Sequence, residues 1–131
     1  DHIIIEASGA ADPSRLIKYL WVEEGMASVI ELDGIVCVVD GTTVDALLTP
    51  TSPKYSIEAA RQVAIADLIL LNKVDCLQAQ GTHTNPLRQL LQGINPLAKL
   101  VETSFSQVPI ETIFDLGEYT TQRMKSTNQT K

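Results

Sequence analysis

Only two cysteines occur in these 131 residues, Cys37 and Cys76. That is too few for a disulfide framework, and they lie too far apart for a C-x-x-C metal motif. Cys37 sits in an apolar run and is expected to be a buried thiol. Histidine is equally scarce: His2 and His83 stand alone, as structural or exposed side chains do. No apolar run approaches the roughly 20 residues that span a bilayer, and no secretory signal pattern is present, so the reducing cytoplasm is the expected compartment and no membrane partner is expected. Basic residues are outnumbered, 10 Lys and Arg against 16 Asp and Glu, giving a formal charge of −6. No basic stripe exists to neutralise a phosphate backbone, which argues against nucleic acid. A single nucleotide, held by backbone amides and one lysine, is compatible with this acidity.

What is present suits one domain. A hydrophobic share of 44% with 20% charged residues is enough for a core. Residues 1–117 read as that domain, and the polar stretch 118–131 as a frayed tail or linker. Four apolar runs read as strands: residues 2–5, 34–39, 68–71 and 100–102. The first three are continuously apolar, which suits parallel strands buried on both faces. Helical patterns lie between them. Residues 13–24 start after Asp12 with Pro13 in the first turn and can be closed by Gly25, with Leu16, Ile17, Leu20 and Trp21 on one face. Residues 56–66 form a second helix, and residues 86–92 a third, capped by Thr84 or Asn85 and ended by Gly93. Residues 42–55 read as a surface loop with one short helical turn. The alternation implies an α/β fold with a mostly parallel sheet, whose ligands bind beyond the carboxyl ends of the strands.

Four polar clusters sit at such ends. Leu70-Leu71-Asn72-Lys73-Val74-Asp75 is an Asn-Lys-x-Asp box after an apolar run. Its aspartate can accept from N1–H and the exocyclic amine of guanine and mismatches adenine. Its asparagine can meet the far edge of the base, and its lysine stem can lie over the ring. Glu6-Ala7-Ser8-Gly9 places a carboxylate where it can hold magnesium through water, with a glycine whose N–H can approach a terminal phosphate. Asp40 ends the second run, and Thr103-Ser104 follows the last. Each has a plainer structural reading: a polar loop after a strand, a solvated Glu6, a capping Asp40, a simple turn at Thr103.

Their order lifts these signals. Ile5-Glu6-x-x-Gly9-x-Ala11-Asp12-Pro13, then Leu32-Asp33-Gly34-x-Val36-x-Val38-Val39-Asp40, then Gln62 and Ala66-Asp67 ahead of Asn72-Lys73-Val74-Asp75, then Ile94-Asn95-Pro96-x-Ala98, resemble the CobW-type P-loop GTPases. These are cobalamin-synthesis-like and zinc-regulated GTP metallochaperones, and the likeness runs from about residue 1 to residue 114. It implies a partial P-loop NTPase domain with helices on both faces of the sheet. It also implies GTP and magnesium as cofactors, zinc as cargo, a metal-receiving client protein, and GTP hydrolysis by the parent protein. Asn72, Lys73 and Asp75 would read guanine, helped by the backbone at Thr103 and Ser104. Glu6 would support magnesium and Gly9 would sense the last phosphate. Ala7-Ser8 departs from the two threonines more usual there.

The family's Gly-Lys-Ser/Thr phosphate loop has no counterpart, since no glycine here precedes lysine. Its C-x-C-C motif is absent too. The chain opens on Asp1 and enters an apolar run at once, so a preceding segment is expected, and these residues alone are expected to bind GTP weakly and to be inactive. A sheet lacking a central strand is expected to aggregate or form homo-oligomers. Two other classes stay open: a truncated, non-catalytic interaction module, and a different nucleotide-binding α/β protein, which the box speaks against.

Overall fold

A computed structural model describes residues 2–22, 32–114 and 116–117. Its centre is a three-stranded parallel sheet of order β1-β2-β3, with β1 at Val36–Asp40, β2 at Leu68–Asn72 and β3 at Lys99–Glu102. The middle strand is apolar along Leu68 to Leu71, all four side chains being buried, as a strand flanked by two others and covered on both faces must be. Helix α1 (Pro13–Val22) precedes the sheet in the chain, and helices α2 (Val44–Leu48), α3 (Ile57–Ile65), α4 (Val74–Ala79) and α5 (Asn85–Ile94) flank it.

On one face Val39, Ile69 and Leu71 meet Val44 and Leu48 of α2, Val63 of α3 and Leu87 and Leu91 of α5 in one core cluster. On the other, Leu68 and Leu70 are buried while their β1 partners Val36 and Val38 stay partly exposed. Asp67 fixes where the sheet begins. Its Oδ2 accepts from Ile35 N–H at 2.8 Å, and its backbone N–H and carbonyl reach Ile35 and Lys99.

Helix ends obey local chemistry. Ser56 caps α3 by accepting from Ala59 N–H at 3.1 Å. The opposite end of α3 is closed from a distance. Asn95, 7% exposed, points its Nδ2 at the carbonyls of Val63, Ala64 and Ala66 (2.9, 3.2 and 2.8 Å), and its Oδ1 accepts from Leu97 and Ala98 N–H. One buried amide thus closes the end of α3 and shapes the turn into β3.

Three expectations need correction. Residues 2–5 form no strand, and Ile3, Ile4 and Ile5 are exposed. An apolar, β-branched run becomes a strand only beside a neighbour, and none pairs with it among the described residues. This segment is held instead by His2, whose ring lies 4.6 Å from that of Phe114. Gly93 does not end the third helix, which runs through it to Ile94 and stops at Asn95, because the buried contacts of Asn95 set the boundary. A helix also starts inside the Asn-Lys-x-Asp box, at Val74. The short turn expected within residues 42–55 is α2. The end of the first helix at Glu24 and Gly25, and the tail from residue 118, lie outside the described residues.

Candidate functional site

The three strands end at one level, Asp40 beside Asn72 and Leu71 beside Glu102, and two loops leave this edge together. Lys73 turns the chain with φ 63°, a left-handed conformation that costs a non-glycine residue about 1 kcal/mol or more. The turn lets α4 begin at once, so Asp75 lies in its first turn. The second loop comes after β3, where Phe105 and Ser106 are also left-handed, each at φ 55°. Three such residues on two adjoining loops mark a place where the surroundings override local preference.

The loops are stitched to each other. Thr103 N–H donates to Leu71 O at 2.9 Å and Val74 N–H donates to Thr103 O at 3.3 Å, while the buried Thr103 hydroxyl donates to Gln107 O at 2.9 Å. Asp75 N–H donates to Ser104 Oγ at 3.2 Å. Asn72 and Ser106 form a reciprocal pair: Nδ2 to Ser106 Oγ at 2.8 Å, and Ser106 N–H to Oδ1 at 2.9 Å. The Asn72 side chain is therefore committed first to holding this loop, with one amide hydrogen to spare.

Asp75 is the unusual member. Its Oδ2 accepts only a long contact from the Cys76 thiol, 3.5 Å, and its Oδ1 is buried with no hydrogen-bond partner. A buried carboxylate oxygen without a donor is costly, about 1–3 kcal/mol or more for a charged group. A ligand edge carrying two adjacent N–H donors would satisfy it. Desolvation and then the neighbouring Asp75 push the Cys76 thiol up, which keeps it protonated. Burial raises Cys37 to about 11.

Lys73 bonds Asp40, Nζ to Oδ2 at 2.6 Å, so the lysine is tethered across the strand ends. The other oxygen of Asp40 accepts from the Thr42 N–H and hydroxyl at 2.9 and 2.7 Å. Asp40 therefore caps the turn at the end of β1 and also steers the lysine. Desolvation would raise its carboxyl, but the Lys73 and Thr42 bonds outweigh that and hold it below the ordinary 3.8. A depressed carboxylate contributes fully above its unfolded value, and that contribution is lost as pH falls through the lowered folded value. Both side chains are solvent-exposed, so the effect on stability is small.

Gly41 escapes sequence reasoning, although Asp-Gly after a strand is a turn signal. Its N–H donates to Asn72 O at 2.9 Å, and a Cβ there would lie 2.9 Å from that oxygen and from Leu77 Cδ1. Gly41→Ala is expected to lower stability by about 1–3 kcal/mol, read as a fall in the denaturation midpoint. An unchanged midpoint would mean that the strand ends part freely. Ser106 and Phe105 escape it too, because nothing in a Ser-Phe-Ser run signals left-handed backbone.

The structure brings Asn72, Lys73, Asp75, Thr103 and Ser104 into one hydrogen-bonded edge. Glu6 and Gly9 lie on a separate exposed loop before α1. Among the described residues no group of three His, Cys, Asp or Glu side chains is placed to hold a metal ion. No helix of the described residues is long and apolar enough to cross a membrane.

Comparisons with known proteins give the chain its relatives and its fold. The chain is 35% identical over 120 residues to the zinc-regulated GTPase metalloprotein activator 1 of Schizosaccharomyces pombe, covering 91% of this chain and 28% of that protein. Its likeness to the protein of the same name from Saccharomyces cerevisiae is 31% over 136 residues, covering 95% and 32%. The fold matches the crystal structure of the Zn(II)-bound YjiA GTPase from E. coli with a TM-score of 0.71 at 24% identity, over 85% of this chain and 32% of that one. The chain thus spans about a third of the length of these relatives. A family described as CobW/HypB/UreG, nucleotide-binding domain, matches residues 1–102, well over half of the sequence, and to that family this chain belongs.

Proposed function

We propose that this chain supplies the base-recognising part of a GTP-binding, GTP-hydrolysing metallochaperone of the cytoplasm, which couples turnover to delivery of zinc to a client protein. The observation that carries the guanine assignment is the buried, donorless Oδ1 of Asp75, at the edge where both loops converge. N1–H and the 2-amino group of guanine supply two adjacent donors, and adenine does not. Lys73, tethered by Asp40, lays its stem along the ring. Backbone groups of Thr103 and Ser104 border the base, in a loop that Asn72 holds through Ser106. On the phosphate side Gly9 N–H meets the terminal phosphate and Glu6 supports magnesium through water. Magnesium, when bound, offsets phosphate charge. Zinc and its client enter from the relatives, two of them named zinc-regulated activators.

The test is calorimetry with magnesium, GTP against ATP, on the polypeptide as its gene encodes it. A preference for GTP of at least about a hundredfold is expected. Equal affinities would remove the assignment, and stable partner capture without any nucleotide dependence would favour the interaction module instead. The 131 residues alone, which contain no Gly-Lys-Ser/Thr loop, are expected to bind GTP more weakly than 1 mM as an order of magnitude; submillimolar affinity would overturn that. Asp40→Asn loosens an exposed ion pair, so it should weaken GTP by no more than about fivefold. A hundredfold loss would make Asp40 a direct ligand contact rather than a tether.

A further inference from the structure

The amide of Gln62, on the exposed side of α3, faces three backbone carbonyls of the loop that carries Gly9. Nε2 lies 2.9 Å from Ala11 O, 3.1 Å from Gly9 O and 3.3 Å from Ser8 O. Three acceptors around one atom require it to be the nitrogen of the amide. Its two hydrogens serve three oxygens, one of them shared. The preceding residue reinforces the grip, with Arg61 Nη1 at 3.7 Å from Asp12 Oδ2.

The covalent geometry of the peptide gives this contact a direction. In a trans peptide the carbonyl of one residue and the N–H of the next point opposite ways in one plane. Drawing Ser8 C=O towards α3 therefore turns Gly9 N–H away from α3. At Gly9 itself no atom lies within 4 Å of where a Cβ would be, so no side chain crowds that residue. The loop closes on itself through Ala11 N–H to Ser8 O at 2.9 Å and Ala10 N–H to Ser8 Oγ at 3.2 Å, so these neighbouring amides are already engaged while Gly9 N–H is turned away from Gln62.

We propose that Gln62 is a positioning residue that orients the Gly9 amide for the terminal phosphate, and so sets the preference for triphosphate over diphosphate. This rests on the GTP reading above. Gln62 itself touches neither nucleotide nor magnesium; it acts only through the peptide planes at Ser8 and Gly9. Guanine recognition at Asp75, on the other loop pair, should not depend on it.

The experiment compares Gln62→Leu, Gln62→Glu and Gln62→Lys with the native protein, in the polypeptide as its gene encodes it. It reads GTP and GDP affinity and kcat with magnesium present. Leucine removes the donor, glutamate opposes three carbonyls with an acceptor, and lysine restores donors to the same point. Leucine and glutamate are expected to lower both the GTP-over-GDP ratio and kcat by about tenfold or more. GDP affinity should stay unchanged, and lysine should recover the ratio to within about threefold. A leucine variant with native ratio and kcat overturns the proposal. So does a fall in GDP affinity in all three variants, which would make the role structural only. Absence of guanine selectivity in the native protein would overturn the GTP reading itself, and this inference with it.

Discussion

Asp75→Asn is expected to weaken GTP by about a hundredfold or more and to turn the protein towards xanthosine triphosphate. The carboxylate offers two acceptors to two donors, and Oδ1 now has none. An asparagine amide would oppose one donor of guanine with another donor, losing a charge-assisted bond and creating a mismatch. Hydrogen bonds to charged groups contribute about 1.5–3 kcal/mol each, so a loss near 3 kcal/mol corresponds to rather more than a hundredfold in Kd. Xanthine carries a carbonyl where guanine has its amine, and that carbonyl accepts from the new amide. The measurement is paired titration of both nucleotides, in native and variant protein, with magnesium. Base preference that does not move would remove Asp75 from the site, and with it the explanation for its unpartnered oxygen.

Asn95→Ala is expected to be the most damaging substitution for the fold. It strips the cap from three carbonyls at the end of α3 and removes the acceptor for two N–H groups in the turn before β3. Buried groups left without partners cost about 1–3 kcal/mol each, partly relieved by water where the site opens. A net loss of about 3 kcal/mol would lower the melting temperature by roughly 10–14 °C for a domain near this size. Asn95→Asp should be nearly as harmful, because a carboxylate retains the acceptor but turns oxygens against the carbonyls of Val63, Ala64 and Ala66. A melting temperature within about 3 °C of native for Asn95→Ala would show that the cap is redundant.

Much of this architecture can be read from residues whose environment is uniform. Leu68 to Leu71 reads as a central strand because both faces are buried and no polar residue interrupts it. Ser56 reads as a cap because its hydroxyl acts within four residues of chain. What escapes the sequence depends on partners far along it. Gly93 looks like a helix end by composition, yet the actual end is set by Asn95 reaching back to α3, some thirty residues away in the chain. Residues 2–5 have the composition of a strand without its neighbour. The Asn72-Lys73-Val74-Asp75 box marks a candidate base-binding edge by residue type. Its scaffold of left-handed Lys73, Phe105 and Ser106 leaves no compositional trace, because serine and phenylalanine enter that conformation only under tertiary constraint.

The reciprocal bond between Asn72 and Ser106 also decides when the loop after β3 surrenders its freedom. A left-handed pair at Phe105 and Ser106 would, in an untethered loop, have to be selected from many conformers each time a ligand arrived. Here the ordering entropy is spent during folding, by an asparagine that belongs to the neighbouring strand. On the guanine reading proposed above, encounter with the base then resembles insertion into a preformed slot.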